Sequence, residues 1–262
     1  MGVHRRAADL TDAGETVAIA TVTDVEGSAP REPGATMLIR ENGDTEGTIG
    51  GGTVEALTQE AALEAIAERE PRTERWELTR DGNTGMVCGG EMTVFINVLV
   101  GAPELVVAGA GHIAVPLARM ADEMGYDVSV VDDREGYADP ERFPEAELYT
   151  GDYDEGIAEF GVGSNTAVAV ATRSGTFDRI AAAEALRRGA YYVGLVASER
   201  KADHVREGLR EEGIDAAAME RLHAPVGIEV GGGAPEDVAL SILAQLNRAR
   251  HGLPETLQDG EA

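Results

Sequence analysis

The sequence predicts an α/β protein: a small N-terminal α+β domain followed by a doubly wound parallel sheet. Three observations lead there. The first hundred or so residues alternate β-branched runs with glycine-rich turns, short apolar runs alternate with helical segments from Leu105 onward, and "GAP" at 101–103 separates the two patterns. Apolar strands alternating with amphipathic helices imply a parallel sheet covered on both faces. A chain of 262 residues is long enough for two modest cores. The expected division is an N-terminal domain over 1–100, a C-terminal domain over 103–252 and a tail over 253–262.

In the first domain, TVAIATVTD (16–24) reads as a strand, and EGSAPREPG cannot extend it because two prolines and two glycines interrupt the ladder. ATMLIR (35–40) and the turn ENGD (41–44) predict a hairpin closed by Asn42-Gly43. After GTIGGG (47–52), Thr53 is placed to cap a helix whose Val54, Leu57, Ala61, Leu63 and Ile66 share one face. RTERWEL and EMTVFINVLV supply further strands on either side of TRDGNTGMVCGG. In the second domain, LVVA (105–108), DVSVV (127–131), TAVAVA (166–171), YYVGLV (191–196) and a weaker AELYT (146–150) read as strands. Helical segments such as HIAVPLARMADEM and DRIAAAEALRRG separate them, and a last helix starts near Pro235, with Glu236 and Asp237 at the positive end of its dipole.

Acidic residues outnumber basic ones 48 to 22, giving a formal net charge of −26, and Lys201 is the single lysine. Such a surface suits molar salt, where the Debye length shrinks to about 3 Å and self-repulsion is screened, so a halophilic source is expected. So little basic surface argues against nucleic acid, and an anionic ligand needs a local pocket of backbone N–H groups and arginine, for which Arg31, Arg134 and Arg173 are candidates. No run approaches the roughly 18 apolar residues of a membrane span, and MGVHRRAADL lacks the apolar centre of a secretory signal, so the expected location is cytoplasmic. One cysteine, Cys88, leaves no intrachain disulfide, and no Cys/His cluster has zinc spacing.

The stretch LVVAGAGHIAVPLARM (105–120) sets G-x-G-x-x-A between a strand and a helix. Gly109 permits the tight turn, Gly111 lets N–H groups approach a pyrophosphate, and Ala114 lets the helix pack closely on the strand. Asp132, at the end of the next strand, stands where an acid holds a ribose hydroxyl pair. Nucleotide binding is one reading, and a sheet kept for packing with an empty or repurposed pocket is the other. His112 either faces a phosphate or simply starts a helix. An NAD(P)-dependent oxidoreductase also needs a group to move a proton; His112 and His223 are the candidates, since His4 and His251 sit near mobile ends and His204 on a charged helix. Lys201, after a strand end, contacts a ligand phosphate or the sheet edge, or survives by chance.

In the first domain, EGSAPREPGATMLI, GTIGGGTVEA and TGMVCGGEM are glycine-rich. If they converge, Gly50, Gly51 and Gly52 with Ser28, Arg31, Thr48 and Thr53 form an anion cradle; otherwise they are ordinary hairpin turns. Cys88 is a soft-metal ligand or sulfur carrier, or an inert buried thiol.

In order along the chain, VTDVEGSAPREPGATMLI, EGTIGGGTVEA, GMVCGGEMTVFI, VVAGAGHIA, VSVVDDRE, VGLVASERK and APVGIEVGGGAPEDVALSI resemble the XdhC/CoxI family, accessory proteins of xanthine dehydrogenase and carbon monoxide dehydrogenase type molybdenum enzymes. The resemblance implies a family-type N-terminal domain and a Rossmann-like C-terminal domain. It also implies a chaperone that binds molybdenum cofactor between the two, supports its sulfuration and delivers it to an apo molybdenum hydroxylase, with a sulfur-donating desulfurase as a further partner and a homodimer as the assembly. The molybdopterin phosphate, or a nucleotide form of the cofactor, then falls to the GTIGGG loop and the C-terminal domain. Cys88 would approach the molybdenum or its sulfur ligand. Two positions depart from the family pattern: Thr53 stands where many members carry cysteine, which removes any two-thiol scheme with Cys88, and Arg173 stands where histidine is expected. A carrier needs no acid/base machinery; an NAD(P) oxidoreductase and a nucleotide-sensing regulatory protein are the alternatives.

Overall fold

The computed structural model describes residues 2–78 and 89–253. The chain divides into two compact units, Met1–Ala102 and Pro103–Ala262.

The first unit contains α1 (Val3–Asp12), β1 (Val17–Glu26), β2 (Thr36–Arg40), β3 (Thr45–Gly47), α2 (Gly52–Glu68), β4 (Arg72–Glu77) and β5 (Glu91–Leu99). Its strands pair antiparallel in the order β3-β2-β1-β5-β4. Successive side chains of a strand point to opposite faces, and both faces here are covered. Ala18, Ala20 and Val22 join Met37 and Ile39 in the core with α2, while Val17, Ile19 and Leu38 pack with Ala7 and Leu10 of α1. Trp76 of β4 donates its Nε1–H to Thr58 Oγ1 of α2 at 3.0 Å, fastening the helix to an edge strand. The hairpin of β2 and β3 turns at Gly43, with φ of 84°, and the Asn42 Oδ1 accepts the Asp44 N–H at 2.9 Å.

Two sequence expectations fail here for local reasons. Helix α1, which carries His4, is ordered although its sequence offers only Ala7 and Leu10 as buried residues, too sparse a stripe to stand out. Helix α2 is entered through Gly50, Gly51 and Gly52, all at positive φ, so the N-cap is Gly51 and Thr53 lies exposed inside the first turn instead of capping it.

The second unit runs β6 (Glu104–Ala108), α3 (Ala114–Glu123), β7 (Asp127–Asp132), β8 (Glu147–Thr150), α4 (Tyr153–Glu159), β9 (Thr166–Val170), α5 (Gly175–Arg188), β10 (Tyr192–Leu195), α6 (Glu199–Glu211), α7 (Ala216–Met219), β11 (Leu222–His223) and α8 (Pro235–Arg250). All pairs are parallel and the order is β11-β10-β9-β6-β7-β8, the doubly wound arrangement in which the strand order reverses between β6 and β9. Leu105, Val107, Ala167 and Ala169 face the core with α3 and α8, and Val106, Ala108, Val168 and Val170 face the core with α4, α5 and α6. Strands buried on both faces read as continuous apolar runs, which is why the sequence marks them so plainly. No helix among the described residues is long and apolar enough to cross a membrane.

Gly109 holds the first crossover. Its φ is 110°, its N–H donates to Val131 O at 2.7 Å, and a Cβ there would collide with the Ala171 carbonyl. Gly109→Ala is expected to destabilise the second unit by about 2–4 kcal/mol through strain and overlap. Urea unfolding followed by circular dichroism should show the loss, while the fluorescence of Trp76, the single tryptophan and a reporter of the first unit, keeps its midpoint.

Candidate functional site: the crevice at the strand reversal

Where the strand order reverses, the loops on either side diverge and leave a crevice beyond the carboxyl ends of the strands. Here it is a cleft of about 220 Å³, lined by Gly111, His112, Ile113 and Ala114 after β6, Ala171 and Thr172 after β9, and Val196 after β10. Among the described residues no acceptor takes the N–H of Gly111, His112 or Ile113. A Cβ on Gly111 would meet no atom within 4 Å, so these donors border open space at the positive end of α3. Ala114 is buried against the sheet and His112 is exposed at the rim.

Asp132 does not stand ready for a ribose. It is fully buried; its Oδ2 accepts the Ala110 N–H at 2.7 Å and Arg134 Nη2–H at 2.8 Å, and its Oδ1 accepts the Arg134 N–H at 3.0 Å and Nε–H at 2.8 Å. The carboxylate bolts the end of β7 to the glycine turn and has no lone pair left over. Burial pushes this carboxyl up, but the Arg134 guanidinium and the Ala110 and Arg134 N–H groups outweigh it, so it lies below its usual range. Arg134 is correspondingly not a free cation: besides Asp132, it lies 3.4 Å from the centroid of the Tyr137 ring.

The other expected cations are also engaged. Arg173 Nη2 lies 2.5 Å from Asp133 Oδ2, and its guanidinium sits over Phe177. Lys201, in the first turn of α6, pairs not with the sheet edge but with the buried Asp178 of α5. His223 stacks on Tyr192 with ring centroids 4.3 Å apart and planes 18° from parallel.

In the first unit the glycine-rich stretches do meet. A Cβ on Gly50 would collide with Pro30, one on Gly90 with the backbone of Glu26 and Ser28, and one on Gly27 would lie 3.1 Å from Gly90 Cα. Yet the cradle they form is filled from within. Glu55, from the first turn of α2, accepts the Thr48 hydroxyl at 2.5 Å and the Ile49 N–H at 3.2 Å. Burial pushes its carboxyl up, but the Thr48 hydroxyl and the N–H groups of Gly51, Ile49 and Gly50 bring it below the usual value. Thr48, Gly50 and Gly51 thus serve the chain's own carboxylate. Gly52 and Thr53 are exposed in the helix's first turn, Ser28 and Arg31 are exposed on the loop after β1, and Cys88 lies outside the described residues. Among the described residues no group of three His, Cys, Asp or Glu side chains could hold a metal ion.

Sequence reasoning passed over Thr172, Asp178 and Glu55. Glu55 had a visible signal, an acid in the first turn after a glycine triplet; Asp178 looked like any first-turn helix acid.

A doubly wound parallel sheet with a glycine turn after its first strand defines the Rossmann-like class of fold. Within that class, the chain belongs to the XdhC and CoxI family: the XdhC Rossmann domain matches residues 105–246 and the XdhC and CoxI family model matches residues 10–77. It is 35% identical to the uncharacterised protein YqeB of Escherichia coli over 97% of this chain and 47% of that one. It is 31% identical to the molybdenum cofactor insertion chaperone PaoD of Escherichia coli over 39% of this chain and 33% of that one. With a protein of Bacillus subtilis named as a probable xanthine dehydrogenase component it shares 28% identity over 60% of this chain and 46% of that one. The chain spans about half the length, or less, of these curated relatives. A solved structure from Bacillus halodurans, described as a xanthine dehydrogenase, shares the fold with a TM-score of 0.53 and 19% identity over 99% of this chain and 98% of that one.

Because the Asp132 carboxyl is lowered in the folded protein, its contribution to stability is present above its unfolded pKa, about 4, and is lost as pH falls through the lower folded value. Asp132→Asn should therefore cost about 2 kcal/mol at pH 7, a figure held down by the partial exposure of Arg134, and the gap to wild type should be narrower at pH 3. Urea titrations at the two pH values measure both effects.

Proposed function

We propose that the chain is a maturation factor for a xanthine dehydrogenase type molybdenum hydroxylase, which takes molybdenum cofactor as cargo and hands it to the apo-enzyme. The observation that carries this reading is the wall formed by Gly111, His112 and Ile113, whose N–H groups border the cleft without protein partners among the described residues. Backbone donors at a helix N-terminus suit a phosphate ester, and molybdopterin ends in one. A cleft of about 220 Å³ takes a phosphate with the adjoining part of a ligand, whereas drug-sized ligands fill pockets of about 300–1,000 Å³. Membership of the XdhC and CoxI family, and similarity to a chaperone named for molybdenum cofactor insertion, support the choice of cargo. Support of sulfuration belongs to the same proposal, with Cys88 as the thiol that takes part and a sulfur-donating desulfurase and the apo-hydroxylase as partners. The NAD(P) alternative has less behind it, since the Asp132 oxygens that would hold a ribose are already occupied by Ala110 and Arg134.

Purified from a host that makes the cofactor, the protein should carry pterin fluorescence and substoichiometric molybdenum. Gly111→Val, which fills the cleft wall without straining the fold, should lower both at least tenfold at unchanged circular dichroism. Repeated absence of pterin and molybdenum from the wild type, with no effect on activation of an apo-hydroxylase, would sink the carrier reading. Cys88→Ser should retain the cofactor and lose the gain in its sulfurated fraction; normal sulfuration would remove the thiol from the scheme.

A further inference from the structure

We infer that Thr172 is a fixed hydrogen-bond acceptor in the cleft, held in that role by Asp178 and Lys201, so that the site selects an anion carrying an O–H or N–H donor beside its charge. This deepens the carrier reading and rests on the cleft being the ligand site.

Thr172 follows β9 and lines the cleft opposite the glycine turn. Its Oγ1 lies 2.6 Å from Asp178 Oδ1 and 3.0 Å from the Ser174 carbonyl oxygen. Both neighbours are acceptors, so the one hydroxyl proton is directed into the protein, to the carboxylate as the nearer and charged acceptor. The Ser174 N–H donates to Oγ1 at 3.4 Å, so what the hydroxyl can still offer a ligand is its one remaining lone pair. Lys201 Nζ pairs with the other oxygen of that carboxylate, Asp178 Oδ2, which leaves Oδ1 to hold the Thr172 hydroxyl. Asp178 is fully buried, so a counter-charge must come from a neighbouring side chain. The Lys201 backbone is itself pinned, its N–H donating to the Ser198 Oγ that caps α6 at 3.4 Å. The single lysine of the chain therefore acts on the cleft through two intermediaries: it is a positioning residue, as is Asp178, and Thr172 is the group that meets the ligand.

The two walls then ask for different things. One offers N–H donors to an anion, and the other offers an acceptor. Methyl phosphate, a dianion with no proton above its second pKa of about 6, satisfies the first and has no donor for the second. A phosphate ester with a nearby hydroxyl or ring N–H satisfies both, and such an ester occurs in nucleotides and in phosphorylated pterins alike.

Calorimetry on the full chain at pH 8 with guanosine 5′-monophosphate, neopterin monophosphate and methyl phosphate, which carries no donor, tests this. The wild type should bind at least one of the two ring-bearing esters at least tenfold more tightly than methyl phosphate, and whichever is preferred identifies the ring. Thr172→Val should cut that preference about fivefold, as loss of one hydrogen bond does, with methyl phosphate affinity within twofold of wild type. Thr172→Ser should keep the preference. Lys201→Met should lose it and Lys201→Arg restore it, a pattern that a purely structural ion pair would not produce at matched melting temperatures. The inference is overturned if Thr172→Val and Lys201→Met both keep the wild-type preference, or if neither ring-bearing ester outbinds methyl phosphate. Those failures leave the carrier reading standing so long as pterin and molybdenum still co-purify. Intact ester selectivity without any co-purifying cofactor would mean the reverse.

Discussion

A glycine turn that leads into a helix leaves backbone N–H donors that need an acceptor, and the way this chain meets that need organises both of its units. In three places the acceptor is its own carboxylate. Glu55 folds back onto the turn before α2, Asp237 accepts the N–H groups of Gly233 and Ala234 at 2.9 and 3.0 Å before α8, and Asp132 takes the Ala110 N–H from the end of the neighbouring strand. Each acid arrives with the turn it serves, so no outside anion is required to complete the fold. In a chain of net charge −26 these contacts also give carboxylates a favourable local field in place of mutual repulsion.

The exception is what gives the second unit its site. After β6 the Gly109 N–H meets Val131 O and the Ala110 N–H meets Asp132, and the next three N–H groups border the cleft. The strand reversal between β6 and β9 is the cause: neighbouring loops turn away from each other there, and the space between them stays open. The same reversal puts Thr172 across from the glycine turn, and the crossover helix α5 that follows carries Asp178 beneath it. Charge is distributed to match. Arg134, Arg173 and Lys201 are each paired with an aspartate, while Arg142 donates to the Gly111 carbonyl at 3.4 Å, so the positive potential at the turn comes from the backbone and from this one guanidinium.

Much of this architecture was legible in the residues. The parallel strands announce themselves as apolar runs because both faces are buried, and β1, β2 and β5 stand out through β-branched alternation. Helix α1 escaped because a short amphipathic helix on a sheet face needs only two buried residues, and β11 because two residues carry no period. At the site, the spacing of Gly109, Gly111 and Ala114 announced the turn. Asp132 could not be placed from the sequence alone, because an acid that holds a ribose and an acid that bolts a turn occupy the same position in it; in the structure its partner is Arg134, two residues on. The glycine triplet at 50–52 likewise left two readings open, and Glu55 is the side chain that meets it.

By itself the sequence determined the class of fold, the break between the two patterns, the glycine turn and the scarcity of basic side chains, because these rest on local periodicity, on glycine's backbone freedom and on counting. Which donors remain open could be decided only by the tertiary structure. A carboxylate satisfies whichever N–H group the fold brings within about 3 Å of it, and that distance is set by strand register and helix position, which no local pattern encodes. The same holds for Lys201: its uniqueness is written in the chain, but its partner Asp178 lies on another helix, and only packing brings the two together.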